Sequence, residues 1–293
     1  MAYTGMTQWE SITCQNQEPH EHRTFEIEVD LSERHGYLNF APIPERLWLP
    51  RFKMEVWDWT VAAEASEPVE GQWCPARCAI SETIAEHGIW EPPETLTLLN
   101  LFEVARLSGE QWDFIDVGAQ LGWFSMLAGQ CGLIPICWEA DSEVADVLRR
   151  NLARFTDRYW IDGTRIGPDA VELMVSTSMN PAIMKIDIEG AEPAAIELYR
   201  SSFEGGRIKA ALIETTPRFG VDVYAMADQM INKYGMVAHI LPHILDHLDA
   251  SYEPYDQIAD LEATTSPERI VEAAEAGNQI NVLYRQPDVP TVV

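Results

Sequence analysis

Two rhythms of apolar and polar positions divide the chain near residue 80. Before it, short stretches alternate residue by residue: 24–30 (TFEIEVD), 37–40, and 47–61, which is rich in Trp and Phe. A period of two predicts strands, and Pro42, Pro44, Pro50 and Pro68 punctuate them. The acidic stretch 63–71 reads as a loop. From Ile80 onward the period lengthens. Residues 95–107 (TLTLLNLFEVARL) carry apolar positions at helical spacing, and Gly109 stops the run.

A short buried strand follows at 114–117, then a helix over 122–128, a strand at 134–138 and a helix over 142–155 with Ser142 as its N-cap. Further strands are expected at 170–175, 183–188, 210–213, 236–241 and 280–284. Helices are expected at 193–199, 223–234 and 267–276. Strands alternating with helices predict a doubly wound, mostly parallel α/β sheet covered on both faces. The expected organisation is a β-rich extension over residues 1–79, of unassigned role, followed by the α/β domain over 80–293.

Composition changes this picture in one respect. The chain of 293 residues is 46% hydrophobic and 23% charged, ordinary for a globular protein, but 20 Lys and Arg face 47 Asp and Glu, a formal net charge of −27. Such a surface repels phosphate backbones and anionic lipid, which argues against duplex nucleic acid or a membrane as partner. It favours solubility or adaptation to a salty or crowded setting, or else a basic partner or an assembly that needs an acidic face; a homo-oligomer or larger assembly is among the expected partners. The longest apolar run, 123–138, is too short to span a bilayer, and residues 1–17 lack a basic stretch leading into an apolar one. Five cysteines include Cys74 and Cys78 but no second pair to complete a zinc site. A cytoplasmic protein is the expectation.

The candidate chemistry sits where strands end. Asp116-Val117-Gly118-Ala119-Gln120-Leu121-Gly122 is a strand-to-helix turn in which Gly118 permits a sharp bend and Gly122 a close helix. A dinucleotide turn needs a further glycine so that the backbone can meet a pyrophosphate. Gln120 stands there instead, which disfavours a nicotinamide-dependent oxidoreductase and favours S-adenosylmethionine, which has no pyrophosphate. Asp116, Gly118, Ala119, Gln120 and Gly122 are therefore candidate cofactor residues. Glu139 and Ala140, about 20 positions later at the next strand end, suit the ribose hydroxyls.

The stretch Met184-Lys185-Ile186-Asp187-Ile188-Glu189-Gly190 ends a strand with two carboxylates, expected on one face by the two-residue period unless the strand has already ended. Such a pair can hold an ammonium, a hydroxyl or a metal, with Lys185 as counter-charge. No metal-ligand set is assigned. His239, His243 and His247 recur every four residues, but Pro242 interrupts the helix that would align them, and they read as structural or surface residues. His20 and His22 read as part of a polar N-terminal segment.

Together these pieces resemble the FkbM family of methyltransferases. The matching segments are DVGAQLG (116–122), WEADSEVADVLRRNL (138–152) and MKIDIEGAEPAAIE (184–197), with HGIWEP (87–92) as lead-in. The resemblance covers residues 80–215. Gln120 stands where the family carries Asn, the chain between 141 and 183 is short, and Thr215 and Thr216 follow Glu214 where the family often shows a His. The resemblance implies a seven-stranded class I methyltransferase sheet, S-adenosylmethionine as cofactor, and O-methylation of a small-molecule or sugar hydroxyl.

An alcohol nucleophile benefits from a general base, for which Asp187, Glu189 and Glu214 are the candidates. The competing expectation is a non-catalytic protein that keeps this fold as a structural or binding module.

Overall fold

The computed structural model describes residues 24–31, 50–57, 80–81, 83–85, 88–167, 179–241, 263–277 and 279–289. The expected elements at 37–40, 63–71 and 170–175 lie outside the described residues, as do Cys74, Cys78, His20, His22, His243 and His247.

The N-terminal region contributes β1 (Thr24–Asp30) and β2 (Arg51–Trp57), which pair antiparallel in full register from Thr24 against Trp57 to Asp30 against Arg51. Lys53 donates to Glu26 and Arg51 to Glu28 across the outer face. These pairs are exposed to solvent and screened by it, so they add little to stability. The inner face carries the docking energy: Val29, Phe52, Met54 and Val56 are buried in the same apolar cluster as residues of the α/β body.

That body is built from α1 (Pro92–Ser108), β3 (Asp113–Val117), α2 (Trp123–Gln130), β4 (Ile134–Trp138), α3 (Ser142–Leu152), β5 (Trp160–Asp162), β6 (Ala182–Ile186), α4 (Glu192–Leu198), α5 (Arg200–Glu204), β7 (Ile208–Thr215), α6 (Val223–Asp228), β8 (Val237–Leu241), β9 (Ala263–Thr264), α7 (Pro267–Gly277) and β10 (Ile280–Arg285). Local chemistry sets the helix ends. Proline at the start of α1 presets the first turn, and Gly109 at φ 72° closes it in the left-handed conformation. Asp141, not Ser142, caps α3: its carboxylate accepts from the amides of Glu143 and Val144 at 3.0 and 3.2 Å.

Among the described residues the sheet has eight strands in the order β5-β4-β3-β6-β7-β10-β8-β9. The expected seven are joined by the short β9. Strands β5 through β7 run parallel, and β10 inserts antiparallel between β7 and β8. Beside β4 lies β5, Trp160–Asp162, which pairs with Ile136, Cys137 and Trp138.

Alternation along β3 sends Phe114 into the core shared with Leu98, Phe102, Trp123 and Leu148, and Ile115 and Val117 into the opposite one with Met184, Tyr199 and Tyr284. Both faces are thereby covered. Phe102 meets Phe114 edge-on at 4.9 Å. Among the described residues no helix is long and apolar enough to cross a membrane.

Candidate functional site

The chain runs outward from β3 through β4 to β5, then crosses back to β6 and β7 on the other side. This reversal opens a crevice beyond the carboxyl ends of β3 and β6, the place where open α/β sheets bind ligands. Asp116, Lys185 and Cys137 lie in register on adjacent strands just inside it.

The turn after β3 is tightly wired. Gly118 and Ala119 donate to the carbonyl of Trp138 at 2.9 and 3.0 Å, and Gly122 donates to Ala119 at 2.9 Å. The Gln120 amide donates to Glu139 Oε2 at 2.9 Å. Gly118 is required twice over: its φ is 87°, and a Cβ there would stand 2.0 Å from the carbonyl oxygen of Asp187. Gly122, at φ 90°, lies against Leu148 of α3, which a Cβ would meet at 2.5 Å. Gln120 itself adopts φ 50°.

Glu139 is buried, and its second oxygen accepts from the Asp141 amide at 2.9 Å. It therefore clamps the two turns that flank the crevice, while Ala140 beside it is exposed. Asp162 ends the next strand, and its carbonyl accepts from the Glu139 amide at 3.0 Å. Sequence reading missed Asp162, because a three-residue strand carries too little periodicity to mark its end.

Asp116 is sealed at the end of β3, with Oδ2 accepting from the Ser125 hydroxyl at 2.6 Å and Oδ1 without a hydrogen-bond partner. Burial pushes its carboxyl up to about 6, against the pull of Lys185. Lys185 is equally buried. Its ammonium lies 2.8 Å from Asp187 Oδ2, 3.7 Å from Glu91 Oε2 and 4.8 Å from the centre of the Phe124 ring. Burial disfavours that charge, yet Asp187, Glu91 and Asp116 hold it above the ordinary lysine range.

Strand β6 ends at Ile186, so Asp187 and Glu189 do not share a strand face as expected. Glu189 adopts φ 54° and points out at the mouth, while Asp187 stays inside on Lys185. Partial desolvation, with Asp187 beside it, raises the Glu189 carboxyl. Glu214, near the end of β7, is buried; desolvation with Asp187 and Glu91 pushes it up to about 10. Glu91 at φ 42°, entering α1, is also buried, and desolvation pushes it up to about 7. One oxygen each from Glu91, Asp187 and Glu214 lie within 4.8 Å of one another. Sequence reading treated Glu91 only as lead-in, since nothing local ties residue 91 to residues 187 and 214.

The predicted residues thus fall into two neighbouring groups: the turn with Glu139, and a carboxylate cluster around Lys185. His239 belongs to neither. It is buried on β8 and accepts from Arg285 at 3.0 Å, which fits the expected structural role.

No family model matches the chain, and none of the curated proteins does. Among solved structures it is similar to a proposed RNA methyltransferase of Pyrococcus horikoshii (16% identity, 64% of this chain and 82% of the other, TM-score 0.37). It is also similar to an O-methyltransferase of Bacillus cereus solved with S-adenosylhomocysteine (13%, 64% and 79%, 0.34). A third is the O-methyltransferase of tomaymycin synthesis from Streptomyces achromogenes, solved with S-adenosylmethionine (11%, 70% and 85%, 0.36).

Proposed function

We propose that this chain is an S-adenosylmethionine-dependent methyltransferase, similar to the FkbM family, acting on a hydroxyl of a small molecule or sugar. The observation that carries the reading is the state of the turn after β3. The amides of Gly118, Ala119, Gln120 and Gly122 are all donated inside the protein. A pyrophosphate needs such amides free. A cofactor that presents a sulfonium and an ammonium needs negative charge instead, and the crevice supplies it.

The residues fit that cofactor. Asp116 Oδ1 and Gln120 Oε1 are buried acceptors with no hydrogen-bond partner. Glu139 stands beside them, holding the amides of Gln120 and Asp141. In this reading Asp116, Gly118, Ala119, Gln120 and Gly122 line the cofactor, Glu139 and Ala140 meet its ribose, and Asp162 borders the adenine side. When bound, the cofactor supplies an electrophilic methyl group.

The chain's own residues then align the acceptor oxygen in line with that methyl and exclude water. Glu189 is best placed of the three candidate bases to take the hydroxyl proton, being exposed at the mouth with its carboxyl raised by partial desolvation. Asp187 is held on Lys185 and positions rather than abstracts. Glu214 carries a proton near neutral pH as it stands and offers a hydrogen bond instead.

Calorimetric titration of the full chain with S-adenosylmethionine and S-adenosylhomocysteine tests this, beside an Asp116→Ala, Glu139→Ala double variant. Micromolar binding that the variant loses is the expected result. No heat from folded protein would overturn the reading in favour of a non-catalytic module, and tight binding of a nicotinamide dinucleotide alone in favour of an oxidoreductase.

A further inference from the structure

We propose that Glu91, Asp187 and Glu214 form a binding site for one divalent cation of the magnesium class. The three come from separate parts of the fold: the N-terminus of α1, the loop after β6 and the end of β7. Their ligand oxygens lie within 4.8 Å of one another. Oxygens on opposite sides of a Mg²⁺ stand about 4.2 Å apart and those around a Ca²⁺ slightly further, so the spacing matches a coordination sphere.

A second observation points to a ligand there. Glu91 is 7% exposed, and its Oε2 has no hydrogen-bond partner, although it faces the Lys185 ammonium at 3.7 Å. An acceptor sealed from water and left without a donor is costly unless something binds it. Charge points the same way. With an ion bound and all three carboxylates ionised, Lys185 offsets one of them, which leaves two negative charges against the two positive charges of the ion.

All three ligands are hard oxygens, which select Mg²⁺, Mn²⁺ or Ca²⁺ over softer metals. Three protein ligands leave about three positions of an octahedron open. Those positions suit an acceptor with two adjacent oxygens, such as a vicinal diol or a hydroxy-carbonyl pair. Binding of the ion stands independently of the methyltransferase reading; its role in holding the acceptor rests on that reading.

The test uses the full chain, stripped with chelator and titrated with Mn²⁺ while the free ion is followed by electron paramagnetic resonance. One saturable ion per chain is expected, displaced by excess Mg²⁺. Glu91→Gln and Glu214→Gln should each weaken it by about tenfold or more. Glu110→Gln, an exposed carboxylate beyond the far end of α1, should leave it unchanged.

No saturable site below about 1 mM, the weak end of the range of dedicated protein sites, would overturn the proposal. So would a site that both variants leave intact, since the ion would then sit elsewhere on the acidic surface. If a Gln variant does not fold, Mn²⁺-induced broadening of Phe124 and Lys185 resonances in the unsubstituted chain decides instead, and its absence overturns the site. Parallel titration with S-adenosylhomocysteine separates the two ideas. Cofactor binding without Mn²⁺ sinks only the metal site, and Mn²⁺ without cofactor binding sinks only the methyltransferase reading.

Discussion

The carboxamide of Asn151 pairs with the main chain of Glu55 through two hydrogen bonds. Its Oδ1 accepts from the Glu55 amide at 2.6 Å, and its Nδ2 donates to the Glu55 carbonyl at 2.9 Å. The same Nδ2 donates to the carbonyl of Leu121, inside the turn after β3. Beside it, Arg150 grips the Glu55 carboxylate. One fully buried side chain thus joins the N-terminal strand pair to the back of the candidate cofactor turn.

Replacing Asn151 with Ala takes that partner from three main-chain groups, the amide and carbonyl of Glu55 and the carbonyl of Leu121. A loss of about 2 kcal/mol or more is expected in urea unfolding, since each unsatisfied buried group costs about 1–3 kcal/mol. Amide exchange over residues 51–57 should accelerate in the variant. Unchanged exchange there would mean that apolar packing alone holds the strands.

Asp116 links stability to pH. Its folded-state pKa, about 6, lies above the ordinary aspartate value of 3.8, so the folded chain keeps a proton that the unfolded chain has released. Stability from this group is fully present below 3.8 and is lost as pH rises through about 6. The shift corresponds to roughly 3 kcal/mol. Asp116→Asn should be less sensitive to pH across that window in urea titrations, and more stable than the parent at pH 7. Parallel curves for the two proteins would contradict the assignment.

Gly118→Ala should fold poorly. The new methyl would stand 2.0 Å from the Asp187 carbonyl, in a backbone conformation that L side chains rarely adopt. A loss of about 3 kcal/mol or more is expected from combined strain and overpacking. A melting temperature within a degree or two of the parent would show that β6 moves aside easily.

Glu139→Gln removes the charge of the clamp and turns an NH2 donor onto one of the two amides that the carboxylate holds, so one of its hydrogen bonds is lost. Hydrogen bonds to a charged acceptor are roughly twice as strong as neutral ones. S-adenosylhomocysteine affinity should fall by about tenfold or more, with the secondary structure intact by circular dichroism. Undiminished affinity would place the ribose elsewhere.

Most of the α/β body was legible because its signals are local. The buried runs of β3, β4, β6 and β7 and the amphipathic α3 declare their own period, and the glycines of the turn declare their conformations. What escaped reading is non-local. β5 is three residues long and exists because β4 offers it an edge. Glu91 joins Asp187 and Glu214 only through the sheet order. The cap on α3 passed from Ser142 to Asp141 because either residue type serves and only the backbone decides. Asp187 and Glu189 parted because β6 ends at Ile186, before either of them.

The internally bonded turn after β3 bears on speed as well as strength. A loop that must order itself around a guest spends part of the encounter searching, and its association slows. Here the main chain from Gly118 to Gly122 is already fastened to β4 and Glu139. Capture should therefore be a single rapid step, limited by how often the guest reaches the crevice and insensitive to solvent viscosity beyond that of diffusion itself.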